Sequence, residues 1–182
     1  GDITDSHMVD QAMIGVSHCL NLAAQVSVVA SLENPEFSAM QNIIGIVNVL
    51  VAAQKNKVEK IVYASSAAIY GEPSEIPLPE TAIKNQLSPY GLEKQVNEEY
   101  ADMYQRIYGI KSLGQRFFNV FGPRQDPKSP YAGVIALFVD RISRGEPLTV
   151  FGDGQQTRDF IYVGDVARAN VAALTSEATG AC

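Results

Sequence analysis

The stretch that most limits what this chain can fold into is Lys60-Ile61-Val62-Tyr63-Ala64-Ser65-Ser66. A short continuous apolar run closed by small residues reads as a strand buried on both faces, and such strands belong to parallel sheets. Parallel neighbours need long crossovers, usually helical, and segments of helical periodicity lie on both sides of the run. Two serines at the end of a buried strand present hydroxyls at the carboxyl edge, where open α/β sheets hold their ligands. The expected class is therefore α/β with a doubly wound parallel sheet.

A second stretch, Ser88-Pro89-Tyr90-Gly91-Leu92-Glu93-Lys94, adds chemistry to that edge. Pro89 suits the first turn of a helix. One turn then places the Tyr90 phenol and the Lys94 ammonium on the same face. A free phenol has a pKa of about 10 and is a poor base at neutral pH. A lysine charge nearby favours the phenolate, which predicts a Tyr90 pKa drawn down towards the working range. Alone, Tyr-x-x-x-Lys is as readily a solvated helix face. Beside a strand ending in Ser65-Ser66 it reads as a base and a hydroxyl sharing one substrate oxygen.

Composition narrows the partners. The 182 residues are 46% hydrophobic and 19% charged, enough for one core, and the net charge is −6. No basic run exists, so neither nucleic acid nor an anionic membrane is expected as partner. Polar residues interrupt the apolar stretches, so neither a bilayer span nor a signal peptide is expected. Cys19 and Cys182 form no disulfide framework, and Cys19 reads as a buried small hydrophobe. A reducing cytoplasm is the expected compartment. His7 and His18 lack ligand spacing, so no metal site is expected.

In order, the patterns predict a helix from Ser6 to Gly15 capped by Asp5 and a buried strand from His18 to Ala24. A long helix follows from Asn34-Pro35 to about Asn56, packing Ile43, Ile44, Val47, Leu50 and Val51 on the sheet. Glu72 to Leu87 reads as a loop over the site. The Tyr90 helix runs from Pro89 to Tyr108, stopped by Gly109, and Ile110 to Phe118 is a strand. Tyr131 to Arg144 forms an amphipathic helix through Val134, Ile135, Leu137, Phe138 and Ile142. Pro147 to Phe151 is expected as a strand, Gly152-Asp153-Gly154 as a turn, and Asp165 at a helix start.

At Ser65-Ser66-Ala67-Ala68-Ile69-Tyr70-Gly71 and Tyr90-x-x-x-Lys94 the sequence resembles the extended short-chain dehydrogenase/reductase family, in its nucleotide-sugar epimerase and dehydratase branch. Arg116-Phe117-Phe118-Asn119-Val120-Phe121-Gly122-Pro123-Arg124-Gln125-Asp126-Pro127 and Ser129-Pro130-Tyr131-Ala132-Gly133-Val134-Ile135 resemble its UDP-glucose and UDP-N-acetylglucosamine 4-epimerases most. The resemblance implies a catalytic Ser66, Tyr90 and Lys94. It implies NAD as cofactor, held by Asp2 and Ile3 at the adenine and by Leu22, Ala23, Ala24, Gln25, Asn42, Ala64, Ser65, Tyr90, Lys94 and Phe117. Ser66, Asn119, Val134 and Arg158 are implied for the nucleotide-sugar substrate, with the planar fork of Arg158 on a phosphate. Capping by Asp2, a plain polar Asn42 and a surface Arg158–Asp159 pair are the structural readings of the same residues.

The resemblance also sets a layout. It implies a Rossmann-like sheet truncated at both ends, with residues 1–118 as the later part of the NAD-binding domain. Residues 119–182 then contribute to a small substrate lobe and return to the sheet. The family's Gly-x-x-Gly-x-x-Gly loop would precede Gly1, and its substrate lobe extends past Cys182, so the chain reads as the middle of a longer enzyme, inactive by itself. Family dehydratases place acidic residues just after the catalytic serine or threonine, where this chain has Ala67 and Ala68. An alanine cannot move a proton, so the expected reaction is NAD-dependent epimerisation at C4 of a UDP-sugar through a 4-keto intermediate. The alternatives are an NADP-dependent nucleotide-sugar ketoreductase, a 4,6-dehydratase, or a non-catalytic dinucleotide-binding protein. Family members commonly pair as homodimers through helices matching Pro35–Asn56 and Pro89–Tyr108, although the apolar residues there fit a core equally.

Overall fold

A computed structural model describes residues 1–73, 75–129 and 131–182 and divides the chain into two units. One unit comprises Gly1–Phe117 with Asn170–Cys182, the other Phe118–Ala169. Ser74, in the expected 72–87 loop, and Pro130, in the 129–135 string, lie outside the described residues.

The first unit is built on strand β2, Lys60–Ser66. Parallel strands β1 (His18–Asn21), β3 (Lys111–Phe117) and β6 (Gly180–Ala181) complete a sheet of order β1-β2-β3-β6. This is the parallel sheet that the buried run implied, Rossmann-like as the resemblance implied. Side chains alternate across β2 as strand geometry requires. Ile61 and Tyr63 join one core with Val9, Ile46, Leu50 and Ala101, while Val62 joins Leu113 and Ala173 on the other face. Three helices bring the first of these cores its residues: α1 (Ser6–Met13), α4 (Gly45–Lys55) and α5 (Pro89–Tyr108).

Several expectations change in detail. Strand β1 stops at Asn21, leaving Leu22 to Ala24 without regular structure. It is an edge strand of alternating exposure, not one buried on both faces, because among the described residues only β2 pairs with it. The long helix exists as α3 (Pro35–Ala39), a π turn (Met40–Ile44) and α4. A short helix, α2 (Val28–Glu33), precedes it. A π turn inserts a residue and rotates everything after it. The buried positions are consequently Asn42, Gly45, Ile46, Val49, Leu50, Ala52 and Ala53. Of the five expected core residues only Leu50 is buried, and Ile44 and Val51 lie open. Pro35–Lys55 is also long and apolar enough, at mean hydropathy 1.4, to cross a membrane by composition alone, contrary to expectation. Here its inner face packs into the core.

In the second unit, β4 (Asn119–Phe121) pairs in parallel with β5 (Phe160–Tyr162), beside helix α6 (Val134–Ser143). Residues 147–151 form no strand. The Arg141 guanidinium instead donates to the Pro147 carbonyl and the Thr149 hydroxyl, tying that segment back to α6. Helix α6 forms as expected but buries none of its residues. Helix α7 (Val163–Thr175) carries Asp165 in its first turn and ends in the first unit.

Two local features hold α5 where its face is used. The Ser88 hydroxyl accepts from the Gly91 amide at 3.1 Å, and Gly109, at φ 73°, ends the helix. Gly91 itself lets α5 approach the 3-10 turn Ala67–Ile69, since a Cβ there would lie 2.6 Å from the Ala68 carbonyl oxygen. Gly91→Ala is expected to push helix and turn apart and to cost about 1–3 kcal/mol in urea unfolding.

Candidate active site

Strand β2 ends where α5 begins, so Ser66 meets Tyr90 and Lys94 at the carboxyl edge of the sheet. Ser66 accepts from the Ala68 amide at 3.2 Å, which fixes its hydroxyl at the mouth of the 3-10 turn. Tyr90 is buried, 9% exposed, with the Ser66 hydroxyl beside its phenol. Lys94 is buried, its Nζ 2.9 Å from the Ala64 carbonyl oxygen and 5.7 Å from the centre of the Tyr90 ring. Phe117 stands opposite Ser66 in the β2–β3 register.

The electrostatics depart from the simple pair. Burial raises the Tyr90 pKa above that of a free phenol, the Ser66 hydroxyl opposes this, and the Glu93 charge adds to it. The expected downward pull of Lys94 is absent. Burial has drawn the lysine itself down to about 8, with Glu93 holding it up. In this dry pocket desolvation of each charged form outweighs their mutual attraction. The phenol is held protonated, beside an ammonium close to losing its proton.

A second layer lies beneath. Asn42, at the π turn, is buried; its side chain accepts from the Gln25 amide and donates to the Gln25 carbonyl, both at 2.9 Å. It also donates to Glu93 Oε2 at 2.6 Å, and the Ser38 hydroxyl donates to the same oxygen at 2.8 Å. The Asn97 amide, oriented by its neighbours, donates to the Asn42 and Glu93 carbonyls. Glu93 Oε1 is buried without a partner. The Ser65 hydroxyl donates to Glu98 Oε1 at 2.6 Å, so its one proton is spent inside the protein.

The other residues implied by the resemblance fall in scattered places. Asp2 accepts from the Thr4 amide and hydroxyl at 2.9 Å, and these bonds hold its carboxyl below the usual carboxylate range. Asn48 donates to the carbonyls of Ile3 and Thr4, while the Ile3 side chain lies over Gly45 and packs on the core. Leu22 and Ala23 are exposed and Ala24 is half-buried. In the second unit, Val134 and Arg158 line one cavity of about 410 Å³ with Phe138, Val150, Phe151 and Phe160. Asn119 donates to the Asp159 carbonyl at 3.1 Å and pairs with Phe160. Arg158 donates to the neighbouring Thr157 carbonyl and makes no pair with Asp159. Cys19 is only partly buried, and burial raises its thiol.

Glu93, Asn97, Glu98 and Arg116 were not singled out from the sequence. A signal existed in the spacing: Tyr90, Glu93, Lys94, Asn97, Glu98 and Ala101 repeat every three or four residues and form one helix face. Being polar, that face reads as the solvated one.

The sequence matches the model of the NAD dependent epimerase/dehydratase family over residues 1–181. A putative UDP-glucose 4-epimerase of Methanocaldococcus jannaschii is 49% identical over 85% of this chain and 51% of its own length. The structure of a UDP-N-acetylglucosamine 4-epimerase from Methanobrevibacter ruminantium, in complex with UDP-N-acetylmuramic acid, superposes with a TM-score of 0.96 at 36% identity. It covers all of this chain, which covers 58% of it. A Thermus thermophilus UDP-glucose 4-epimerase in complex with NAD gives 0.91 at 39% identity, over 100% of this chain and 60% of that one. The chain spans about half the length of the curated relatives it matches.

The Lys94 shift carries a stability signature. Its folded pKa of about 8 lies below the ordinary lysine value of 10.5, so between those values the unfolded chain binds more protons. Stability should rise with pH across that window, by on the order of 3 kcal/mol if the shift is complete. Urea midpoints at pH about 7.5 and about 9.5 are expected to rise in the wild type and to rise less in Lys94→Met.

Proposed function

We propose a reaction from one premise: this chain belongs to the NAD dependent epimerase/dehydratase family. We infer that it forms the catalytic middle of an enzyme that epimerises C4 of a UDP-sugar through a transient 4-keto sugar. The observation that carries this is the convergence of Ser66, Tyr90 and Lys94 at one sheet edge with two alanines, Ala67 and Ala68, in the adjoining turn. The edge holds a phenol, a hydroxyl and an ammonium, and the turn adds no acid for expelling water. Two relatives named for UDP-glucose and UDP-N-acetylglucosamine 4-epimerisation support the choice of substrate class.

The residues present fit the nicotinamide end of NAD. Lys94 carries three N–H donors and spends one on Ala64, leaving two for ribose hydroxyls. Ala64, Ser65 and Phe117 would line the cofactor beside it. NAD, when bound, supplies a hydride acceptor and a positively charged ring. Tyr90, once ionised, would take the proton of the C4 hydroxyl, and the Ser66 hydroxyl would hold the oxygen as it becomes a carbonyl. After the keto sugar turns over, the reverse of the same step on the opposite face would have Tyr90 give its proton back. No net oxidation results. A positively charged cofactor there would also offset the burial that keeps Tyr90 protonated.

Arg158 and Val134, in their shared cavity, would hold the nucleotide part of the substrate. Homodimer pairing is supported by two exposed apolar stripes, Phe37, Met40, Ile44 and Val51 on α3–α4, and Leu92 and Ile107 on α5. We place the enzyme in the cytoplasm, where two free thiols such as Cys19 and Cys182 persist.

The full-length protein with NAD alone is expected to interconvert UDP-glucose and UDP-galactose. Tyr90→Phe should lower kcat about a thousandfold and Ser66→Ala about a hundredfold. Steady consumption of NADPH without epimer would favour the ketoreductase. Ile44→Asp combined with Leu92→Asp should convert the dimer to monomer in light scattering.

A further inference from the structure

We propose that Glu98 is a positioning residue, whose buried carboxylate sets the end of β2 against α5 and fastens residues 75–87, which lie between Ser66 and Tyr90 in the chain. This rests on the epimerase reading above and adds to it a residue that touches neither substrate nor cofactor.

Glu98 lies two turns beyond Tyr90 on the same inward face of α5, and its side chain is 5% exposed. Its oxygens gather donors from three separate parts of the chain. Oε1 accepts from the Ser65 hydroxyl at 2.6 Å and from Arg116 Nε at 2.9 Å. Oε2 accepts from Arg116 Nη2 at 2.9 Å and from Lys84 Nζ at 2.7 Å. Ser65 and Arg116 are register partners across β2 and β3, and the next pair along is Ser66 with Phe117. The carboxylate therefore grips the layer immediately beneath the reactive edge.

Arg116 extends the grip to the connecting segment. Its Nη1 donates to the Tyr70 hydroxyl at 2.7 Å and to the Glu80 carbonyl at 2.8 Å. Tyr70 also donates to the Glu80 carbonyl, at 3.3 Å. With Lys84 on the other oxygen, the segment is tied at two points that both end on Glu98. Burial raises the Glu98 carboxyl, but Arg116, Lys84 and Ser65 outweigh it and hold it below the usual range. A network satisfied on every side is rigid, and a displacement of about 1 Å at a reacting hydroxyl can cost a hundredfold in rate.

Removing the carboxylate would strand Arg116 as an unpaired buried charge and endanger the fold, so the test cuts its arms singly in the full-length enzyme. Ser65→Ala is expected to lower kcat about tenfold with KM within about twofold. Lys84→Met is expected to lower kcat/KM about fivefold, and to let a Glu-specific protease cut faster at Glu72, Glu75 and Glu80. Lys84→Arg should restore both. Either variant matching wild type in its own readout, with only its thermal midpoint changed, overturns the proposal. A wild type that turns over no UDP-sugar would sink the epimerase reading instead, while the protease arm still reports on the Lys84 tie.

Discussion

The inward face of α5 is polar, and the first unit depends on satisfying it. Tyr90, Glu93, Lys94, Asn97 and Glu98 are all buried on this one helix. Each charge moved out of water costs several kcal/mol, so the surroundings must answer each of them. Arg116, Lys84 and Ser65 answer Glu98; Asn42 and Ser38 answer Glu93; the Ala64 carbonyl answers Lys94. Those partners come from β2, β3, α3, the π turn and the segment before α5. A hydrophobic helix face could slide in register; this one has a single position in which its partners meet it.

The π turn at Met40–Ile44 is part of that answer. The Asn97 amide donates to the Asn42 carbonyl in that turn, while the Asn42 side chain clamps Gln25 and Glu93. The same inserted residue turns Ile44 and Val51 outward and Ile46 and Val49 inward. An apolar stripe lost from the core thus becomes an apolar stripe on the surface, next to that of α5. One local irregularity serves the buried network and shapes the exposed face together.

Much of the frame was legible. The run ending in Ser65-Ser66 gave a buried parallel strand because an uninterrupted apolar segment can be satisfied only by cover on both faces. Pro89 and Gly109 bounded α5 because one lacks the amide a helix start does not need and the other tolerates φ 73°. The face of α4 was misread because periodicity assumes a uniform 3.6-residue turn, and nothing in Met40–Ile44 announces a π turn. Residues 147–151 were misread because their apolar pattern carries no record of the Arg141 contacts that hold them.

By itself the sequence determined the class of fold and the identity of the groups at the sheet edge: a phenol and an ammonium one turn apart, and a strand that ends in hydroxyls. Those follow from local geometry, which spacing along the chain encodes. Only the tertiary structure decided how those groups behave, since their ionisation depends on water excluded by residues far apart in sequence. It raised Tyr90, lowered Lys94 and turned Ser65 away to Glu98. Desolvation belongs to the packed whole and has no signature in any single segment.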